Sequence, residues 1–241
     1  MADKSSGERL SDKAKQSLMQ SSTATISSVL RKHGFDGMFL EGLHPLKPEK
    51  RMVGTAFTLR FVTTRPDLDA TGEFDNTTNK QRIAVESIGL GEVLVIEARD
   101  NTSAGTLGDI LATRIWKRGG AGIVSDGAFR DTPSVAEIDM PTYSRAQNPN
   151  LSSAVHHPIE INGPIVCAGV TVLPGDVIVG DAEGVIVIPA GIADEVAEQA
   201  SEQEQREEFI IGKIREGHSI LGVYPPNEET LAEYERSRNR S

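Results

Sequence analysis

The sequence predicts an α/β fold built on parallel strands, and three observations carry that expectation. An apolar, β-rich run, "GEVLVIEA", is followed by an amphipathic helical segment, "LGDILATRIWKRG", and then by a second apolar run, "AGIVSDG". Two strands joined through a helix lie parallel, because the helix supplies the crossover that a tight turn does not. The 241 residues, 38% hydrophobic and 25% charged, suffice for one substantial core.

The elements follow in chain order. The segment beginning near Leu10, through "AKQSLMQSSTATISSVLRKHG", is amphipathic and reads as one or two helices ending at Gly34, with the first dozen residues expected to fray. "RMVGTAFTLRFV" alternates and reads as a strand, with Gly54 at a bulge or a close approach. "TTRPDLDATGEFDNTTNK" is a polar loop whose length suits mobility or contact with a neighbour. "QRIAVESI" then reads as a short helix. In the crossover helix, Ile110, Leu111, Ile115 and Trp116 are expected to form the buried stripe, leaving Thr113, Arg114 and Lys117 for water. "AGIVSDG" is expected to be a buried strand closed by a turn at Asp126 and Gly127.

Beyond it, "EIDMPTYSRAQNPNLSSAVHH" mixes a short strand with a loop, and "GPIVCAGVTVLPGDVIVGDAEGVIVIPA" reads as several short strands separated by Pro-Gly-Asp and Asp-Ala-Glu-Gly turns. The last long segment, "AGIADEVAEQASEQEQREEFIIGKIREGH", has helical periodicity, with acidic residues at its start and Lys213 and Arg215 near its end, complementing the helix dipole.

Composition excludes several function classes. A net charge of −10 without a run of Lys and Arg argues against a nucleic-acid surface. No apolar stretch is long enough to span a bilayer, and the polar start lacks the apolar core of a secretory signal, so no membrane partner and a cytoplasmic location are expected. The single cysteine, Cys167, rules out an internal disulfide framework and reads as a small buried residue. The patterns GxxxxGK[ST], GxGxxG, HExxH and GxSxG are all missing, which argues against ATP-loop, dinucleotide, zinc-protease and serine-hydrolase chemistry, and against a methyltransferase. His156 and His157, just before Pro158, read as surface loop residues.

Chemistry is concentrated in the central unit. The loop "NTSAGTLGD" leaves a strand and enters a helix, so its amides are placed to bind a small anion. Asp109 suits either a helix cap or a functional role. Arg130 and Asp131 follow directly on the second strand, where α/β proteins commonly put ligands. They suit a surface ion pair or, if the side chains diverge, a cation held by Asp131 and an anionic oxygen met by Arg130.

These residues resemble a known family. "GDILATRIWKRGGAGIVSDGAFRD" is similar to the Gly-Asp, helix, Gly-x-x-Gly, strand, Asp-Gly-x-x-Arg-Asp pattern of the class II pyruvate aldolases acting on 4-hydroxy-4-methyl-2-oxoglutarate and 4-carboxy-4-hydroxy-2-oxoadipate, and of the related RraA-like proteins. Asp109 and Arg130 stand 21 positions apart, as that pattern requires, and "PGDVIVGDAEGVIVIP" looks like its second signature. The likeness runs from about Ser22 to Ala200.

The resemblance implies an RraA-like swivelling β/β/α domain with a long C-terminal helix, assembled as a homotrimer or homohexamer with its active sites at the subunit interfaces. It implies a lead-in over residues 1–20, a catalytic domain over 21–200 and a C-terminal helix and extension over 201–241. By the same likeness Asp131 would ligate Mg2+ or Mn2+, Asp109 would hold a metal-bound water, and Arg130 would contact the substrate's oxygens. The amides around Thr106, Leu107, Gly108 and Asp109 would cradle the carboxylate of pyruvate. The implied activity is release of pyruvate from a 4-hydroxy-2-oxo acid, with decarboxylation of oxaloacetate through the same enolate. The alternative it leaves is a non-catalytic regulator that binds an RNA-degrading enzyme.

Overall fold

A computed structural model of the chain describes residues 10–67 and 75–238. It opens with α1 (Asp12–Gln20) and α2 (Thr23–Lys32), capped by the hydroxyls of Ser11 and Ser22. Gly34, at φ 81°, ends the pair. After β1 (His44–Pro45) comes β2 (Met52–Thr63), the spine of the sheet. The central unit is α3 (Lys80–Ser87), β3 (Glu92–Glu97), α4 (Asp109–Lys117), β4 (Gly122–Phe129), α5 (Thr132–Glu137) and β5 (Thr142–Gln147). Five short strands follow: β6 (His156–Ile161), β7 (Ile165–Cys167), β8 (Val170–Val172), β9 (Val177–Gly180) and β10 (Val185–Ile188). The chain closes with α6 (Ala193–Arg215) and α7 (Glu228–Arg238).

The eight-stranded sheet runs β1-β5-β4-β3-β2-β9-β10, and β6 also pairs with β2. Strands β2 to β5 form three parallel neighbours, β2 with β3, β3 with β4 and β4 with β5, as the helical crossovers require. Alternation along β3 divides the core. Leu94 and Ile96 face the side covered by α3, α4 and α5, whereas Val93 and Val95 pack with Met52, Tyr143 and the β7–β8 hairpin. A third apolar cluster seats α1, α2 and α6 on β9 and β10. Gly54 is a close approach, since a Cβ there would lie 2.5 Å from the Gly91 carbonyl oxygen. Among the described residues no helix is long and apolar enough to cross a membrane.

Four expectations are corrected. First, the buried stripe of α4 is Ala112 and Ile115 with Leu111 partly buried, whereas Ile110 is 80% exposed and Trp116 lies at the surface. A narrow helix seat one turn wide accepts i, i+3 and i+4 neighbours, and Ile110 falls outside that arc. Second, the strand does not turn at Asp126 and Gly127. It runs on to Phe129 through a register shift between Ser125 and Ala128, and Asp126 is 1% exposed. Third, His156 is buried in β6 against Phe61, with ring centroids 5.4 Å apart, because this segment adds to the edge of β2 instead of looping outward. Fourth, a helix missing from the sequence reading, α5, follows Asp131, with Pro133 in its first turn, where proline is tolerated.

The boundary expected at residue 200 falls inside α6, one continuous helix against which both α1 and α2 pack. The C-terminal extension folds back through α7, where Lys213 pairs with Glu233 and Phe209 meets Tyr234. The first nine residues and 68–74, including the centre of the polar loop, lie outside the described residues.

Candidate active site

The end of β4 delivers Arg130 and Asp131 to the rim of the sheet. Asp131 has φ 55° and ψ 33°, a left-handed conformation that aspartate tolerates better than most residues. It occupies the N-cap position of α5, yet its carboxylate makes no capping bond there. The group is instead turned back over the preceding loop, with Oδ2 3.3 Å from Arg130 Nε, so the two side chains face each other and do not diverge. Their side chains are 41% and 32% exposed.

Two glycines let the loop from β3 to α4 lie against this corner. A Cβ on Gly105 would come within 2.9 Å of the Arg130 backbone nitrogen, and one on Gly108 would stand 2.5 Å from Asp131 Oδ2. Larger residues at either position would push the loop away from the carboxylate.

The loop is held from behind by its carbonyl groups. Thr102 and Ser103 accept from the side-chain amides of Asn148 and Asn150, Ala104 from His156 Nε2, and Thr106 from the Gln81 side chain. Leu107 accepts from the Arg130 amide at 3.0 Å. Burial keeps His156 below the ordinary imidazole range, so it holds Ala104 as a neutral donor. With the carbonyls committed to the protein, the amides of Leu107, Gly108 and Asp109 find no acceptor among the described residues. They open toward the helix N-terminus, where an anion is favoured.

Thr106 does not belong to that cradle. It is fully buried, its amide donates to the Ala128 carbonyl at 2.7 Å, and its hydroxyl donates to the same oxygen at 3.0 Å. Thr106 thus pairs the loop to β4. Asp109 is the first residue of α4, one place beyond the cap position occupied by Gly108, and its Oδ1 accepts from the Ile110 amide at 2.8 Å.

Leu107, Gly108, Asp109, Arg130 and Asp131 all line one cavity of about 840 Å3. Its opposite wall comes from α3, with Gln81, Arg82 and Glu86, and from Arg114 of α4, which pairs with Glu86 at 2.7 Å. Gln81 was not singled out from sequence; its one legible sign was a polar side chain on the inner face of a short helix. Asp126, Asn148, Asn150 and His156 were likewise missed as loop supports, because their partners are 26 to 52 residues away.

The donor set fits a hard divalent cation of one kind. Among the described residues no group of three or more His, Cys, Asp or Glu forms a protein cage, which argues against zinc-like ligation. Magnesium and ions like it take one or two carboxylates and keep several waters, and Asp131, uncapped and facing the cavity, is such a carboxylate. Asp109 lines the same cavity from the adjoining helix.

Comparison with known proteins bears on this corner. The sequence model of one family, described as RraA-like (Aldolase/RraA), matches residues 23–187. A 4-hydroxy-4-methyl-2-oxoglutarate aldolase of Thermus thermophilus is 33% identical over 108 residues, 45% of this chain and 65% of that protein. The matches span just under two thirds of the first curated relatives' length, 63% and 65%. Among solved structures, an uncharacterized protein from Pseudomonas syringae superposes with a TM-score of 0.78 at 26% identity, covering 90% of this chain and 99% of that one. RraAS2 of Streptomyces coelicolor, described as an unusual member of the RNase ES inhibitor RraA protein family, superposes with a TM-score of 0.75 at 33% identity, covering 84% and 97%.

Proposed function

This chain belongs to the RraA-like (Aldolase/RraA) family, and we propose that it is a divalent-metal-dependent aldolase that cleaves a 4-hydroxy-2-oxo acid to pyruvate and a second carbonyl compound. One observation carries the reading: a carboxylate with no capping bond, joined among the described residues only to the adjacent guanidinium at 3.3 Å, and a set of unengaged amides line one cavity at Asp131, Arg130 and Leu107–Asp109, so a cation and an anionic substrate would take the place of that ion pair.

Retro-aldol cleavage removes the proton of the 4-hydroxyl, breaks the bond between C3 and C4, and returns a proton to C3 as pyruvate forms. The amides of Leu107, Gly108 and Asp109 bind and orient the 2-oxo acid's carboxylate. Arg130 meets the oxygens on which negative charge grows, where a fixed guanidinium stabilises more than water does. Asp109, at the cavity wall, orients a water that exchanges the proton with the substrate. Asp131 holds Mg2+ or Mn2+, whose positive charge, when bound, favours the keto oxygen becoming anionic. Oxaloacetate leaves the same kind of enolate on losing carbon dioxide, so its decarboxylation is expected of the same residues.

The assembly expected with this reading is a homotrimer or homohexamer with shared sites. Two large apolar side chains on the cavity wall support it, since Ile110 is 80% and Leu151 61% exposed in the single chain. The likeness to RraAS2 favours a second reading, a regulator that binds an RNA-degrading enzyme without turnover. The two separate in one assay. Pyruvate release from a panel of 4-hydroxy-2-oxo acids is expected with Mg2+ or Mn2+ and lost with EDTA or in Asp131→Ala; capture of a ribonuclease with no turnover on any substrate favours the regulator.

A further inference from the structure

Asp126 is the buried carboxylate nearest the loop that the proposed mechanism does not use. It sits in β4 at 1% exposure, and both of its oxygens point at the turn that follows β3. Oδ1 accepts from the Ala98 amide and Oδ2 from the Asp100 amide at 3.2 Å. The Ala168 amide, in the β7–β8 turn, also faces it.

The turn it fastens is unfavourable by itself. Arg99 and Asp100 have φ of 60° and 55°, two successive left-handed residues of which neither is glycine. Such a conformation persists only where its surroundings over-determine it. Asn101 begins the loop that runs to Asp109, so the two amide bonds to Asp126 set where that loop departs. The charged groups around the carboxylate are few. Asp100's own carboxylate is held by Arg145 at 2.8 Å, Arg145 Nε donates to the Asp126 carbonyl at 3.2 Å, and the Cys167 thiol lies against the pair.

We propose that Asp126 is a positioning residue of the site: its ionised carboxylate locks the turn at 98–100 and thereby fixes the Leu107–Asp109 amides at the distance from Arg130 and Asp131 that the reaction uses. The proposal rests on the aldolase reading for its effect on turnover, but not for its effect on the loop. An ionised carboxylate accepts at both oxygens, whereas its neutral form turns an O–H toward one of the two amides and releases it. Burial raises the Asp126 carboxyl to about 6, so that change falls within an accessible range.

Amide hydrogen exchange of the full chain, corrected for intrinsic rates, and steady-state kinetics over pH 5 to 8 test this together. In the wild type, protection of residues 98–106 is expected to fall about tenfold as pH drops through about 6, the effect of losing one hydrogen bond. Asp126→Asn is expected to show the low protection at every pH when it is referred to the amides of β2 and β9 in the same sample. Its kcat/KM, measured on the folded protein, should fall about tenfold at pH 7.5, and its pH profile should lack the inflection near 6. Wild-type-like protection of 98–106 in the variant overturns the proposal, as does a loosened loop with unaltered kcat/KM. Absence of any turnover in the wild type rejects the aldolase reading, while the exchange data still decide the loop's dependence on Asp126. Should Asp126→Asn fail to fold, the wild-type exchange titration decides alone, and protection of 98–106 that does not change across pH 6 overturns it.

Discussion

Two corners of this molecule carry aspartates beside glycines, and they use them differently. At the two ends of β9, Asp176 follows Gly175 and, at the β9–β10 corner, Asp181 follows Gly180. Both are 7% exposed and both are engaged by the backbone. Asp176 accepts from Leu173 and Ala190; Asp181 accepts from the amide and hydroxyl of Thr23 and from the Glu183 amide, tying the start of α2 to the sheet. At the β4–α5 corner, Asp131 stands at a helix start with no capping bond and opens on a cavity. A carboxylate surrounded by amides has its acceptor capacity used up and serves the fold. One whose neighbouring amides go elsewhere, and which meets Arg130 at 3.3 Å, keeps most of its acceptor capacity open.

The strongest way to break this comparison is to remove one charge from each corner. Asp131→Asn keeps a residue that tolerates φ near 55°, and it is expected to lower kcat/KM for pyruvate release by roughly 10³-fold with little change in melting temperature. An active variant would place Asp131 with the structural aspartates. Next in size is a pH effect on stability. Asp126 is raised from 3.8 to about 6 by burial, so its folded form prefers the proton. The resulting stabilisation is fully present below pH 3.8 and is lost as pH rises through 6, amounting to about 3 kcal/mol. About 1.4 kcal/mol of it falls between pH 5 and 7.5, so denaturant titrations of the wild type and Asp126→Asn at those two pH values check this, the variant lacking that part of the slope.

Asp181→Asn is the counterpart at the other corner. Leaving one of three donors without an acceptor should cost about 2 kcal/mol of stability, while kcat/KM of the folded protein stays the same. A loss of turnover at constant stability would erase the distinction between the corners. The smallest effect is expected from Gly108→Ala. Its Cβ would sit 2.5 Å from Asp131 Oδ2, and the displaced loop should lower kcat/KM about tenfold. An unchanged rate would show that the loop need not lie against Asp131.

Much of the site was legible before any coordinates. The Gly-Asp and Arg-Asp pairs, the helix between the parallel strands and the Pro-Gly-Asp turns are local features, each set by residues within a few positions of one another. Thr106 shows where that legibility stops. Inside "GTLGD" it looked like one more amide donor, but the loop runs beside β4 and gives that amide to Ala128, 22 positions away. His156 and Asp126 misled for the same reason. A histidine before a histidine and proline resembles a loop, and an aspartate before glycine resembles a turn, until β2 and the turn at 98–100 supply their partners.

What the amino-acid order determined alone was the succession of strands and helices and the chemical types brought to the end of β4, because periodicity, capping and turn preferences act over a few residues. Which carboxylates are already occupied by backbone amides, and which amides remain open to a ligand, was decided by tertiary structure. Hydrogen-bond capacity is shared among groups brought together from distant parts of the chain, and each acceptor holds only so many donors.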